Sequence, residues 1–317
     1  MIVRRHLRWH RILITSRGFL IYIITLSIVT YQFHVGRFKD SVPQALGDFP
    51  QIPFSLVAAL GTALAIFLGF RNNSAYDRWW EARNIWGGIV NVSRTFVTQL
   101  ITFTQLSDAT KEETQPYCRE LAYRHLAWIN ALRLQLRQQD NWNEVGEYLD
   151  PAEFEWLIDR KNRATQLLHK QGLRLADGRR DGLVTDSHYH QRLDASLETM
   201  FELQGKAERI KNTPLPRQYD FFPRVFFWMF VTMLPGGILT ELEKVHSYWM
   251  VIPLATAVAF MFYALLRVGE LNESPFENRF TDTPLSALCA LIEIDLREQL
   301  GETELPEPVQ PVGGILM

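Results

Sequence analysis

Four apolar stretches interrupt an otherwise polar chain. Two of them, Phe49 to Phe70 and Val245 to Leu266, carry no Asp, Glu, Lys or Arg, and each is long enough to span a bilayer as a helix, which takes about 20 residues. Gly18 to Phe33 and Val225 to Thr240 are shorter, and the first can be extended by apolar residues on its N-terminal side. Because each stretch is flanked by charge, we expect four membrane-spanning helices rather than buried helices of a large soluble protein.

Basic residues are distributed unevenly around these stretches. Five arginines and no acidic residue precede the first, and arginines also follow the second, precede the third and follow the fourth. The two short connectors carry mixed charge, so the N-terminus, the middle segment and the C-terminus are predicted to be cytoplasmic. A cleaved signal peptide is the alternative for the first stretch. No small-residue cleavage site follows Phe33, which favours an uncleaved helix.

The polar segment between the second and third spans is predicted to be helical. Asp150-Pro151 has the cap and first-position proline of a helix start, Asp177 to Gly182 is typical of a loop, and a further helix is expected from about Asp186 to Lys211. Two sets of apolar residues with helical spacing support this prediction: Trp79, Trp86, Val90 and Val97; then Leu121, Leu126, Ile129, Leu132 and Leu136. The chain therefore divides into residues 1–70 with the N-terminus and first two spans, 71–217 as a helical cytosolic domain, 218–266 with the last two spans, and 267–317.

Two local patterns qualify this division. Pro235-Gly236-Gly237 lies within the third span and is expected to bend or end its helix, because proline removes a backbone hydrogen bond. In the last segment, Thr283-Pro284 starts a final helix, and the Pro- and Gly-containing tail from Pro306 is expected to be loose.

Composition and charge exclude several classes of protein. The mean hydropathy of -0.09 resembles a soluble protein only because it averages apolar spans with polar segments. A net charge of -2 gives no reason to expect a nucleic-acid partner. Cys118 and Cys289 can in principle form one disulfide, but two free thiols in a reducing cytosol are the better interpretation.

No group of residues points to catalysis. His188-Tyr189-His190 is the most conspicuous cluster, but two histidines two positions apart on a helix point in different directions and cannot share one metal. Cys118 and His125 are seven residues apart, too far for a thiolate–imidazolium pair on a straight helix. We therefore expect no catalytic residues, no metal site and no cofactor. The second and fourth spans also lack the ionisable residues of an active carrier.

The second span has the features of a pore wall. Residues four apart form one stripe, Ala58, Thr62, Ile66 and Phe70, beside a stripe of small residues, Gly61, Ala65 and Gly69. Asn72, Asn73 and Ser74 follow directly, as polar groups that meet an ion leaving an apolar constriction. Ordinary core packing explains the same stripe, so periodicity alone leaves both interpretations open.

Four segments carry a resemblance to a known family. They are FLGFRNNSAYDRWWEAR at 67–83, TPLP at 213–216, SPFE at 274–277 and ALIEIDL at 290–296. Together they resemble the bestrophin family, specifically its bacterial branch, in the same order over residues 1–300. The resemblance implies an all-α integral membrane protein with four spans per subunit and a helical cytosolic vestibule, assembled as a homopentameric ring around a central pore in the bacterial inner membrane. A pore with one lining helix per protomer requires such a ring.

The resemblance also assigns residues. Thr62, Ile66 and Phe70 fall on the positions of the hydrophobic neck, and His188 on the lower cytosolic aperture, which is usually aliphatic. Thr62 is polar where the family is usually apolar, so the constriction is expected to be shorter and wetter. A ring of His188 side chains is expected to respond to pH near about 6.5.

Calcium gating is not expected. Where animal members carry an acidic calcium-binding run, this chain has Glu277 to Asp282 with Arg279 inside it, and a hard cation needs several converging oxygens.

The predicted function is passive conduction of small monovalent ions, with the sign of the ion left open. Animal members of the family are chloride channels, whereas resemblance to the bacterial branch points toward cations. Phenylalanine rings offer a positive edge and a negative face, so residue type does not decide. The alternatives are a membrane-anchored helical scaffold without conductance and, third, a membrane enzyme. The expected partners are further copies of the chain, the lipid bilayer and the permeant ions.

Overall fold

The structure, a computed structural model, describes residues 1, 9–35, 52–105, 107 and 109–317. Within these ranges every regular element is a helix, apart from one isolated bridge between Val312 and Ile315, as the predicted all-α fold requires. The α-helices are α1 Trp9–Thr15, α2 Arg17–His34, α3 Phe54–Gln105, α4 Lys111–Arg137, α5 Asn143–Gly146, α6 Pro151–Ile158, α7 Arg163–Arg180, α8 Ser187–Asn212, α9 Gln218–Leu242, α10 Val251–Asn272 and α11 Leu285–Gln299. Two short 3-10 turns, Glu243–Val245 and Tyr248–Met250, connect α9 to α10.

The chain forms two compact units. Residues 5–77 and 214–273 make up the first, called the apolar unit here, and residues 1–4, 78–213 and 274–317 make up the second, the polar unit. Helix α3 belongs to both: its first part lies in the apolar unit and its remainder in the polar unit.

The apolar unit contains α2, the first part of α3, α9 and α10. Within the described residues, three segments have the length and composition of a membrane span: Phe54–Gln105, Gln218–Val245 and Tyr248–Asn272. The first predicted span forms the 18-residue helix α2 and is not among them. Large apolar side chains from all four helices form one core, including Ile23, Leu64, Phe227 and Phe262.

The Pro235-Gly236-Gly237 segment does not end its helix, contrary to one of the two expected outcomes. Helix α9 continues to Leu242, and all three residues are buried. A Cβ atom at position 237 would lie 2.7 Å from the Val57 Cγ2 atom, so the missing side chain lets α3 and α9 approach closely. Gly237 therefore serves helix packing rather than helix termination.

The polar unit is built around α4. Its residues from Leu126 to Leu134 are buried on every side, because α4 packs against α5, α7, α8 and α11. The five apolar residues whose spacing indicated this helix are all buried. The remainder of α3 adds Trp86, Ile89 and Phe96 to the same core, each fully buried.

Helix ends in the polar unit follow the sequence signals, with one exception. The Asp150 carboxylate accepts a hydrogen bond from the Ala152 backbone N–H at 3.1 Å and caps α6, as predicted. The loop expected from Asp177 is wrong, because α7 continues to Arg180. A side chain at Gly178 would overlap the Tyr117 ring, so this glycine serves close packing inside the helix, and the turn comes at Gly182, where φ is +77°.

The tail from Pro306 has no helix, but its end is held, which corrects the expectation of a loose segment. The Met317 carbonyl accepts a hydrogen bond from the Ala287 N–H at 2.9 Å, at the start of α11. The first N–H groups of a helix have no partner within the helix, so the last residue of the tail satisfies one of them.

Candidate pore-lining surface

The first part of α3 has two faces of opposite character. One face is buried in the core of the apolar unit, and the opposite face is exposed, with mainly apolar or small side chains. The buried face comprises Val57, Gly61, Leu64, Leu68, Arg71 and Ala75, and the exposed face includes Ala58, Thr62, Ile66 and Phe70. Steps of three and four residues place each set on one side of a helix. Packing within the described part of the chain therefore does not explain the stripe of Thr62, Ile66 and Phe70.

The stripe itself is not uniform. Ile66 is 56% exposed and Phe70 is 64% exposed, whereas Thr62 lies at the edge of an apolar groove of about 620 Å³ between α3, α9 and α10. The Thr62 hydroxyl donates to the Ala58 carbonyl at 2.9 Å. Its proton is used within the helix, so Thr62 presents a methyl group and oxygen lone pairs, which makes it less polar than a free hydroxyl.

The stripe of small residues divides between two environments. At Gly61 a Cβ atom would lie 2.8 Å from the Phe230 ring, so this glycine is needed for packing inside the protomer. Ala65 and Gly69 are exposed, and Gly69 has no neighbour within 4 Å of where a Cβ would be. Only the first of the three therefore contributes to packing within the chain.

The polar residues that follow Phe70 also differ from one another. The Asn72 amide donates to the Leu265 carbonyl of α10 at 3.0 Å, so its side chain is directed into the protomer. The Ser74 hydroxyl donates to the Phe70 carbonyl at 3.1 Å. Asn73 is exposed and is the member of this group that continues the open face of α3.

Arg71 is the residue whose importance sequence reasoning missed. In the sequence, Arg71 was used only as one of the basic residues that follow the second span and indicate its orientation. In the structure its side chain is 1% exposed and lies between α9 and α10. Its Nη2 atom lies 2.5 Å from Asp220 Oδ1 and 3.2 Å from Glu273 Oε2, and its Nη1 atom donates to the Leu266 carbonyl at 3.4 Å. A basic residue directly after a span, with acidic residues at the ends of two others, was the available signal.

The pairing of Arg71 extends into a chain of alternating charges. Arg224 contacts Asp220 at 2.9 Å and Glu270 at 3.1 Å, and Arg267 contacts Glu270 at 2.6 Å. Three arginines and three carboxylates, all in the apolar unit, therefore compensate one another. A buried charge is tolerated only when it is paired in this way.

His188 lies in the polar unit, on the first turn of α8. It is exposed, and its backbone N–H donates to the Asp186 carboxylate at 2.7 Å, so Asp186 caps the helix. The neighbouring candidates have separate contacts: Tyr189 stacks on Phe103 with centroids 4.4 Å apart, and His190 lies 3.3 Å from Asp194.

The cysteines and His125 do not form a reactive pair. Both thiols are free, as predicted, and both are buried. Burial raises the pKa of Cys118 and lowers the pKa of His125 to about 3, whereas a thiolate–imidazolium pair needs the opposite shifts. The His125 Nε2 atom lies 2.8 Å from the Ser93 hydroxyl, in a site walled by Phe96 and Trp128.

Within the part of the chain that the structure describes, no three His, Cys, Asp or Glu side chains converge as a metal site. In the segment that corresponds to the calcium-binding run, Glu277 accepts a hydrogen bond from the Lys211 ammonium at 2.8 Å, and Asp282 accepts one from the Arg279 backbone N–H at 3.0 Å. These two carboxylates are engaged by donors of the protein itself.

Comparison with known proteins gives one consistent family. The model of the bacterial and fungal bestrophin proteins matches residues 1–298. The voltage-dependent anion channel-forming protein RSc3414 of Ralstonia nicotianae is 31% identical over 313 residues, 96% of each chain. The voltage-dependent anion channel-forming protein YneE of Salmonella typhi is 33% identical over 258 residues, 81% of this chain and 79% of the relative.

Solved structures agree with this result. A variant of a bacterial bestrophin homologue from Klebsiella pneumoniae superimposes with a TM-score of 0.80 at 25% identity, over 90% of this chain and 100% of the other. Another structure of the Klebsiella pneumoniae homologue gives a TM-score of 0.79 at 24% identity, over 90% and 98% of the two chains. The family model covers nearly the whole chain, and close relatives exceed 30% identity over most of it, so the chain belongs to the bestrophin family, in its bacterial and fungal branch.

Proposed function

We propose that this protein is a passive ion channel in which a ring of five protomers conducts small monovalent ions through a neck formed by Thr62, Ile66 and Phe70. The observation that carries the proposal is the exposed apolar stripe on α3, opposite the packed face of the same helix. A hydrophobic constriction conducts when it is wet and blocks ions when it dewets, so the size and polarity of these three side chains set the conductance.

Self-assembly is supported by the surface of the apolar unit. The groove between α3, α9 and α10 is lined by small residues of α3, among them Ala58 and Ala65, which allow close contact with another helix. Exposed apolar surface of this extent must be covered by lipid or by protein. The number five rests on membership of the bestrophin family.

The proposed placement is the bacterial inner membrane, with four spans and both termini in the cytoplasm. Three described segments support spans by length and composition. The fourth is α2, which begins at Arg17 and is preceded by further helix in α1. The basic residues before α2 and on both cytoplasmic connections support the orientation.

Below the neck, Asn73 is the proposed polar contact for an ion leaving Phe70, because Asn72 is directed toward α10. His188 is proposed for the cytosolic aperture, and its exposure is compatible with that role. No calcium gating is proposed, since Glu277 and Asp282 already accept hydrogen bonds from the protein.

The sign of the ion is the open part of the function. The names of the two relatives specify anions, whereas the resemblance to the bacterial branch points toward cations. The Phe70 ring serves either sign through its edge or its face.

The test is current through the purified full-length oligomer in planar bilayers under a KCl gradient. We expect a current whose reversal potential lies near the equilibrium potential of K⁺ or of Cl⁻, which reports the sign directly. Phe70→Ala is expected to increase the unitary conductance, because it removes the bulkiest side chain of the neck.

Phe67→Ala is the matched control. Phe67 has the same side chain on the same helix, but its ring lies 5.7 Å from the Phe226 ring of α9, so its truncation is expected to leave conductance near the wild-type value. A pure oligomer that is silent, with Phe70→Ala equally silent, would instead identify a membrane scaffold.

A further inference from the structure

Arg71 follows Phe70 directly and makes the most specific set of contacts on the buried face of α3. Neighbouring helix residues are separated by about 100° around the axis, so a side chain next to Phe70 is placed to control where Phe70 points. The Arg71 guanidinium contacts Asp220 near the start of α9, and Glu273 and the Leu266 carbonyl at the end of α10. Each contact joins α3 to a different point of the apolar unit.

The other contacts of this face are less directional. Val57, Leu64 and Leu68 are held by apolar packing, which fixes volume more strongly than rotation. Gly61 is likewise held by apolar packing, against the Phe230 ring. A guanidinium has a planar fork of donors with fixed geometry, so its pairing with two carboxylates specifies one rotation of the helix.

Asn72 and Gly269 help to fix the same rotation of α3 against α10. The Asn72 amide donates to the Leu265 carbonyl, one residue before the carbonyl bound by Arg71. A Cβ atom at position 269 would overlap the Asn72 Oδ1 atom and lie 3.5 Å from Arg71 Nη1, so only glycine permits this approach of α3 to α10. Two successive residues of α3 are therefore clamped to one turn of α10.

We propose that Arg71 is a positioning residue for the pore neck, which fixes the rotation of α3 so that the Phe70 ring is presented on the open face. This inference rests on the proposed channel function. With Arg71 replaced by a neutral side chain, Asp220 and Glu273 lose their shared partner, the turn of α3 that carries Phe70 loses its directional contact, and the Phe70 ring shifts from its position.

The test is a double-mutant cycle on unitary conductance in planar bilayers, with the variants Arg71→Gln, Phe70→Ala and their combination. Arg71→Gln alone is expected to change conductance by at least about twofold, the smallest coupling expected between interacting residues. In the Phe70→Ala background the same substitution is expected to have no further effect, because the ring that Arg71 positions is absent. A purely structural role predicts the same additional loss in both backgrounds.

Two conservative variants and one control complete the design. Arg71→Lys keeps the charge without the fork and is expected to restore part of the wild-type conductance. Asp220→Asn, which leaves Arg71 paired with Glu273, is expected to give a weaker form of the Arg71→Gln effect if that variant does not assemble. Arg224→Gln is the control, because Arg224 belongs to the same charge chain but is 49% exposed and forms its ion pairs with Asp220 of α9 and Glu270 of α10.

The outcomes separate this inference from the channel function itself. A silent wild-type oligomer, or an unchanged conductance in Phe70→Ala, refutes the proposed function. A conducting protein that responds to Phe70→Ala but shows additive effects of Arg71→Gln, or the same change in Arg224→Gln, refutes only the positioning role.

Discussion

The two parts of α3 follow opposite rules of burial. In the apolar unit the helix exposes Ile66 and Phe70 and buries an arginine. In the polar unit it buries Trp86 and Ile89 and exposes polar residues such as Asn91. The second pattern is that of a helix on the surface of a water-soluble domain, and the first is its inverse. One continuous helix therefore passes from surroundings in which large apolar groups are exposed to surroundings in which they are sheltered from water.

The same substitution, Ile to Asn, made in each of the two parts of α3 should give the largest difference in the free energy of unfolding. Ile89→Asn is expected to reduce the free energy of unfolding by more than about 4 kcal/mol, because it places an unpaired amide in a filled core. Ile66→Asn replaces an exposed residue, so a change near about 0.5 kcal/mol is expected, together with a clear increase in conductance. Thermal unfolding in detergent and bilayer recording check the pair. Equal losses of stability would show that Ile66 is a core residue.

Buried His125 gives the polar unit a dependence of stability on pH. Burial lowers the pKa of His125 to about 3, so between about pH 6.5 and 3 the unfolded chain binds a proton that the folded chain does not. Stability should therefore fall with pH in this window, by up to about 1.4 kcal/mol per pH unit. The difference in Tm between wild type and His125→Asn, measured at pH 7.5 and pH 5, should shrink accordingly. A constant difference would contradict this assignment.

His188 provides the matching test on conductance rather than stability. It is exposed, and a ring of five positive charges at a proposed aperture should oppose cations or attract anions. We expect conductance to change between pH 7.5 and 5.5 in the wild type and not in His188→Ile. The same pH response in both proteins would exclude His188 as the sensor.

Thr62 should give the smallest effect. Its hydroxyl donates within its own helix, so the isosteric change Thr62→Val is expected to cost less than about 1 kcal/mol of stability. The neck becomes fully apolar, and conductance should decrease modestly. Thr62→Ser keeps the hydroxyl and should conduct nearly as the wild type does. If Thr62→Ser loses conductance and Thr62→Val does not, the methyl group of Thr62 and not its oxygen is the important feature.

Local patterns predicted most of the fold. The helical character, the buried face of α4 and the start of α6 at Asp150-Pro151 all follow from periodicity and capping, which involve neighbours along the chain. Two glycines were interpreted as possible helix ends, Gly178 and Gly237, but both lie within helices. Another helix approaches each of them closely. A glycine that ends a helix and a glycine that admits a neighbour look the same in a sequence.

At the proposed neck, too, the sequence predicted the pattern and the structure decided which side of the helix is packed. The stripe of Thr62, Ile66 and Phe70 is visible as a spacing of four residues, but spacing does not say which side of the helix is packed. Burial of the opposite face decides that, and it also separates Asn72, which binds the Leu265 carbonyl, from Asn73, which is exposed.

The sequence by itself determined the helices, the apolar spans and the family resemblance, because these depend on residue type, spacing and motif order along the chain. Only the tertiary structure revealed the role of Arg71. Its two carboxylate partners lie 149 and 202 residues away in the chain, and many charged residues are equally distant. The choice between them is made by the packing of three helices, which brings one arginine and two carboxylates together in a space where an unpaired charge is not tolerated.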